Sequence, residues 1–154
     1  MAGDATIQAA IQTLIRALAN FADADVTLGD FQVLGRGSDP YAIVVAGPFE
    51  ALRSGDYGQV TYAWTHYVEV WSRFTGDSLS GLVTARQAVV DQINKYPTLN
   101  STANITNSWA SASDELMYLW QKGERTSALP SFAGFRVTVS TVEEIGYAGS
   151  GEFA

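Results

Sequence analysis

The chain has 154 residues and a formal net charge of -7, from 9 basic and 16 acidic side chains, and it contains no cysteine. A chain of this length can bury roughly 70% of its unfolded surface in one domain without covalent staples, so a single domain over 1–154 is expected. Missing cysteines exclude disulfides, thiolate metal sites and cysteine catalysis, while the acidic balance, with Lys95 and Lys122 as the only lysines, argues against a dedicated grip on nucleic acid.

The opening, MAGDATIQAA, has no basic segment leading into an apolar core, so no signal peptide is expected. No apolar run approaches the ~18 residues of a membrane span, and a cytoplasmic setting is expected. Residues 5 to 21 predict an amphipathic helix: Ile7, Ile11, Leu14, Ile15, Leu18 and Phe21 recur at spacings of three and four, with Asp4 as its N-cap. Short β-like pieces follow around Val26–Leu28 and Phe31–Leu34, then a turn through Gly35 to Pro40, then a short buried strand, YAIVVAG. GPFEALRSGDYGQV, at about 47–60, reads as a long interstrand loop in which FEALR forms one helical turn. A loop of that length in a compact domain is usually functional or an interaction arm.

Next comes TYAWTHYVEVWSRF, residues 61–74, an alternating strand with large rings on both faces. Tyr62, Trp64, His66, Val68, Val70 and Phe74 share one face; Tyr67 and Trp71 lie on the other. A sheet in a small two-layer domain normally buries one face and wets the other, so the second face calls for a cover. A second helix then starts at Asp77 or Ser78 and runs to about Lys95, with Leu79, Leu82, Val83, Val89, Val90 and Ile93 as its apolar side. YPTLNSTANITNSW reads as a polar loop. DELMYLWQ alternates, with Leu116, Tyr118 and Trp120 opposite Glu115, Met117, Leu119 and Gln121; GERTSALPS links it to FRVTVSTVEE, which turns Phe135, Val137 and Val139 inward and Arg136, Thr138 and Ser140 outward. The glycines of residues 146–154 predict a flexible C-terminal arm. The fold class is therefore α/β (α+β): an antiparallel or mixed sheet of four to five strands, with two main helices packed on one face.

The search for chemistry returns no catalytic, cofactor or metal site. His66 is the only histidine, so neither a zinc site nor a base–nucleophile pair can be built around it, and it reads as a packed residue. Asp23, Asp25, Asp30, Glu143 and Glu144 show no calcium-loop spacing and read as structural or solvated. GRGSDP and GYAGSGEF match neither a phosphate loop nor a dinucleotide fingerprint. Trp109 and Trp120 read as core plus subunit contact, since nothing basic interleaves with them for stacking on bases. Charged residues make up 16% of the chain and aromatics 12%, against an ordinary charged share of about 25%. Few charges and many rings leave apolar surface to cover, and a partner subunit is one place to cover it.

The order of these pieces resembles the tail-terminator and tail-completion proteins of long-tailed bacteriophages, a group of head–tail joining proteins. The resemblance is carried by the N-terminal helix TIQAAIQTLIRALANF, by the strand YAWTHYVEVWSRF running into TGDSLSGLVTARQAVVDQINKYPTL, and by the ending ALPSFAGFRVTVSTVEEIGYAGSGEF. It implies a structural virion protein, assembled in the host cytoplasm and not an enzyme. Such a protein forms a ring with copies of itself, usually a hexamer, caps the tail tube, ends tube growth and joins the tail to a head-completion or neck protein. DNA passes through the lumen unbound, and an acidic wall suits that passage. The expected subunit or tube contacts are Tyr67, Trp71, Phe49, Tyr57, Tyr147 and Phe153. A head-proximal stopper or adaptor, and a small α/β ligand-binding or enzymatic domain, are the alternative readings.

Overall fold

A computed structural model describes residues 3–29, 40–53, 59–73, 78–119 and 131–146. Helix α1 (Gly3–Arg16) is followed by strands β1 (Val26–Leu28), β2 (Tyr41–Arg53) and β3 (Gln59–Arg73), helix α2 (Ser78–Lys95), and strands β4 (Ile105–Ala112), β5 (Met117–Leu119) and β6 (Phe132–Gly146). Among the described residues six strands form one mixed sheet in the order β1-β2-β3-β6-β4, with β5 also on β6, and of these pairings only β1 with β2 is parallel.

Both helices lie on one face. Ile7, Ile11, Leu14 and Ile15 of α1 and Leu82, Ala85, Val89 and Ile93 of α2 are buried against Val44, Val68, Val70, Phe135, Val137 and Val139 of the sheet. Helix α1 stops at Arg16, earlier than its apolar period predicts. Leu18 and Phe21 still reach the core from the turn beyond it, and Arg16 donates back to the Asp23 and Val26 carbonyls to hold that turn. In α2 the buried stripe is narrower than expected: Leu79 and Val83 sit beside it and are exposed.

Two predicted loops are strands. Residues 47–53 continue β2 instead of forming a helical turn, and β3 begins at Gln59. The register jumps between Ala46 and Phe49, so Gly47 and Pro48 form an irregularity that passes through the strand without ending it. Gly47 is required there, because a Cβ would lie 2.7 Å from the Thr65 carbonyl oxygen and 2.8 Å from the Tyr67 ring. The second strand is β4, which the polar run after Pro97 conceals. Leu99, Asn100, Ser101 and Asn104 take positive φ to turn the chain. Ile105 and Ala110 are then buried beneath α2, and the buried Ser108 hydroxyl donates to the Pro97 carbonyl at 3.1 Å.

The second face of β3 is covered by the chain itself at one end. Tyr41, Ile43, Trp71 and Phe132 form a separate buried cluster, flanked by Val45 and by Met117 and Leu119 of β5. The Trp71 ring lies flat on the backbone of Gly134, where a Cβ would fall 2.6 Å from Trp71 Cε3.

Two substitutions test this packing. Gly134→Val lifts Trp71 from its seat; overpacking of this kind costs about 1–3 kcal/mol, read as a lower melting temperature with altered near-UV tryptophan dichroism, whereas an unchanged melt would contradict the seat. Val89→Asp places a charge at a fully buried helix–sheet contact, a cost of several kcal/mol; the expected result is an unfolded chain by circular dichroism, and a folded one would show the α2 face to be misplaced.

Candidate assembly surfaces and a buried polar cluster

The helix-covered face contains a small polar cluster. His66 of β3 is fully buried, and its Nε2 lies 2.6 Å from Asp4 Oδ1 in the first turn of α1. Asp4 is therefore a helix residue tied to the sheet, not the predicted cap, and its other oxygen accepts from Gln8 at 2.7 Å. With Asp4 as acceptor, neutral His66 carries its proton on Nε2. Nδ1 then faces the interior as a bare lone pair with no hydrogen-bond partner among the described residues. Two residues along, Trp64 donates to Glu143 of β6 at 3.2 Å, and Glu143 is also fully buried. A His–Asp pair invites a catalytic reading, but this imidazole is sealed beneath α1 with its Nε2 engaged. It fastens the helix. Asp25 is half-buried in a single 3-10 turn, Asp23 and Glu144 are exposed, and Asp30 lies outside the described residues. Among the described residues no group of three or more metal-ligating side chains converges, and no helix is long and apolar enough to cross a membrane.

The expected contact residues separate onto different surfaces. Phe49 is 50% exposed on the far part of the β2–β3 hairpin. It stacks on Trp64 at 4.6 Å and Tyr62 at 5.9 Å, so the core's rings continue outward past the cover of the helices. Tyr67 is half-buried on the opposite face, under the Arg136 guanidinium at 4.6 Å. Arg136 pairs with Glu69 at 3.0 Å, and Trp71 also donates to Glu69 at 3.4 Å, so the charges on this patch neutralise each other. Trp71 is 5% exposed: its ring is already covered within the chain and is not open surface. Tyr57, Tyr147 and Phe153 lie outside the described residues.

No helix covers the second sheet face away from Trp71 in the described residues; its middle is small and uncharged, and Leu52, Glu50 and Glu144 stand exposed toward its Val60 end. Thr65 of β3, Thr138 and Ser140 of β6, and Ser111 of β4 share that middle with Trp109, which is 47% exposed. The sequence signalled Trp109 as a ring, but its outward direction follows from β4, the strand that its polar composition hid.

No protein-family model matches the chain, and no curated protein matches it. Among solved structures, its fold is similar to that of a chain in the virion of a native gene transfer agent particle, with a TM-score of 0.59 and 16% sequence identity, covering 90% of this chain and 95% of that one. At that identity the likeness is one of fold.

The His66 clasp generates a pH prediction. Burial lowers the His66 pKa below its ordinary 6.5, and the hydrogen bond and charge of Asp4 oppose that shift in part. The unfolded chain therefore takes up a proton at a higher pH than the folded chain does. Stability contributed by neutral His66 is complete above the ordinary histidine value and is lost as pH falls through the lowered folded one. Urea midpoints should fall from pH 7.5 to 5 in the wild-type chain more steeply than in His66→Gln; parallel slopes would contradict the assignment.

Proposed function

We propose that this chain is a structural virion protein that forms a ring with copies of itself, expected to be a hexamer, on the end of a phage-type tail tube. In this reading it ends tube growth and joins the tail to a head-completion or neck protein, and DNA passes through the lumen without specific binding. The observation that carries the reading is the likeness of fold, over nearly the full length of both chains, to a component of a gene transfer agent virion.

The surfaces support it. One sheet face is covered by two helices, while the middle of the other presents uncharged hydroxyl side chains and an exposed tryptophan, with Glu50 and Glu144 toward its Val60 end; the uncharged middle can meet a neighbour without burying unpaired charge. The net charge of -7 suits a wall that lets phosphates slide past. Phe49 on the hairpin and Tyr67 on the open face are the described contact residues, with Trp71 acting from beneath as the support of the second cluster. Tyr57, Tyr147 and Phe153 complete the proposed contact set.

Sedimentation velocity of the purified chain, alone and with tail tubes, tests the reading. A discrete multimer, or binding to tube ends, is expected; a monomer that ignores tubes would contradict it. Phe49→Ala should weaken assembly, because truncating a buried interface ring often costs more than about 2 kcal/mol. The same change should shift the melt of the dissociated chain far less. Loss of melting temperature with assembly intact would assign Phe49 to the fold alone.

A further inference from the structure

An open sheet leaves its outermost strands with N–H and C=O groups that can recruit a strand from another chain. Among the described residues the strand path ends at β1 and β4. At Ala110 of β4, both backbone groups are taken by one side chain of α2. The Ala110 N–H donates to Asn94 Oδ1 at 2.8 Å, and Asn94 Nδ2 donates to the Ala110 carbonyl at 3.4 Å. A carboxamide offers the same donor and acceptor as a peptide group, so Asn94 occupies the position that the peptide of an added strand would take. The position of Asn94 is set by the helix: Val89 and Ile93 are buried against the sheet, which leaves the next residue at the margin beside β4. Just past the strand, Arg86 of the same helix donates to the Ser113 carbonyl at 2.9 Å.

The other end of the path is held in the same manner by α1. The Val26 carbonyl of β1 accepts from Gln12 Nε2 at 2.9 Å and from Arg16 Nη2 at 3.1 Å, and the Val26 N–H bonds to the Asp23 carbonyl. Each helix thus covers the sheet with its apolar side and occupies an edge with polar residues at its margin.

We propose that the Asn94 carboxamide closes the β4 edge against strand addition by a second copy of this chain, so that copies meet through faces and not by edge-to-edge pairing. This closure belongs to the isolated chain and does not depend on its being a virion protein.

The test compares Asn94→Ala with Gln87→Ala. Gln87 is an exposed residue of the same helix that bonds to Asp91 at 2.8 Å, away from the edge. Both changes leave the buried stripe of α2 intact, and neither adds apolar surface. Amide exchange at Ala110 and sedimentation velocity over a range of concentrations are measured on the wild-type chain and on both variants. Asn94→Ala should exchange at Ala110 roughly fivefold faster, the factor that one net hydrogen bond is worth. It should also show concentration-dependent association beyond that of wild type and of Gln87→Ala. Unchanged protection at Ala110 would overturn the proposal, and so would faster exchange with no added association. Asn94→Gln, whose longer carboxamide can still reach the edge, should restore part of the protection and suppress the association; a Gln variant that associates as Asn94→Ala does would also overturn it.

Discussion

The pairing of β3 with β6 is the constraint on which the rest of the structure depends. Fifteen residues of each strand run opposite one another, from Gln59 against Gly146 to Arg73 against Phe132. Because side chains alternate, this register decides what each face carries. It sends Trp64, His66, Val68 and Val70 toward the helices, and Thr65, Tyr67, Glu69 and Trp71 to the other side. A slip by one residue would present Thr65, Tyr67 and Glu69 to the helices and turn His66 and two valines to water. β2 and β4 add to the outer sides of this central pair, and both helices pack across it.

A central strand with rings on both faces must be covered twice. On the first face the cover is two amphipathic helices, and the His66–Asp4 contact fixes where α1 begins. On the second face the cover is local: β5 and the start of β6 bring Met117, Leu119 and Phe132 over Trp71, and Gly134 lets its ring lie against the backbone. Among the described residues the cover ends near Tyr67. Beyond it the sheet offers hydroxyl side chains and Trp109, and on the helix side the ring ladder runs outward to Phe49. Among the described residues, the rings that stay open are therefore those that the two cores leave uncovered.

Much of this was legible in the sequence. Both helices, the long central strands and the inward residues of β6 are set by strong apolar periods, which survive because tertiary packing reinforces them. Three features were not legible. β4 is built from small and polar residues whose burial depends on α2 lying over them, so Ser108 and Ala110 carry no apolar signal of their own. The second half of β2 follows Gly47-Pro48, a pair that reads as a turn but here forms an irregularity within a strand. Trp71 and Tyr67 share a face and look equivalent in sequence, yet only Trp71 is buried, because Phe132 and the bare Gly134 backbone reach it from a distant segment. The rings as a set were visible. Which of them remain open is decided by long-range contacts.

The described residues thus join a two-sided core to exposed rings on the hairpin and on β4, and the fold is similar to that of a gene transfer agent virion component. Cryo-electron microscopy of particles from cells that encode this chain tests the account most directly. It predicts a ring of this six-stranded fold around the lumen at the junction of tail tube and head, with the open sheet face and the β2–β3 hairpin against neighbours. Intact particles in which that junction is built entirely from other proteins would contradict it.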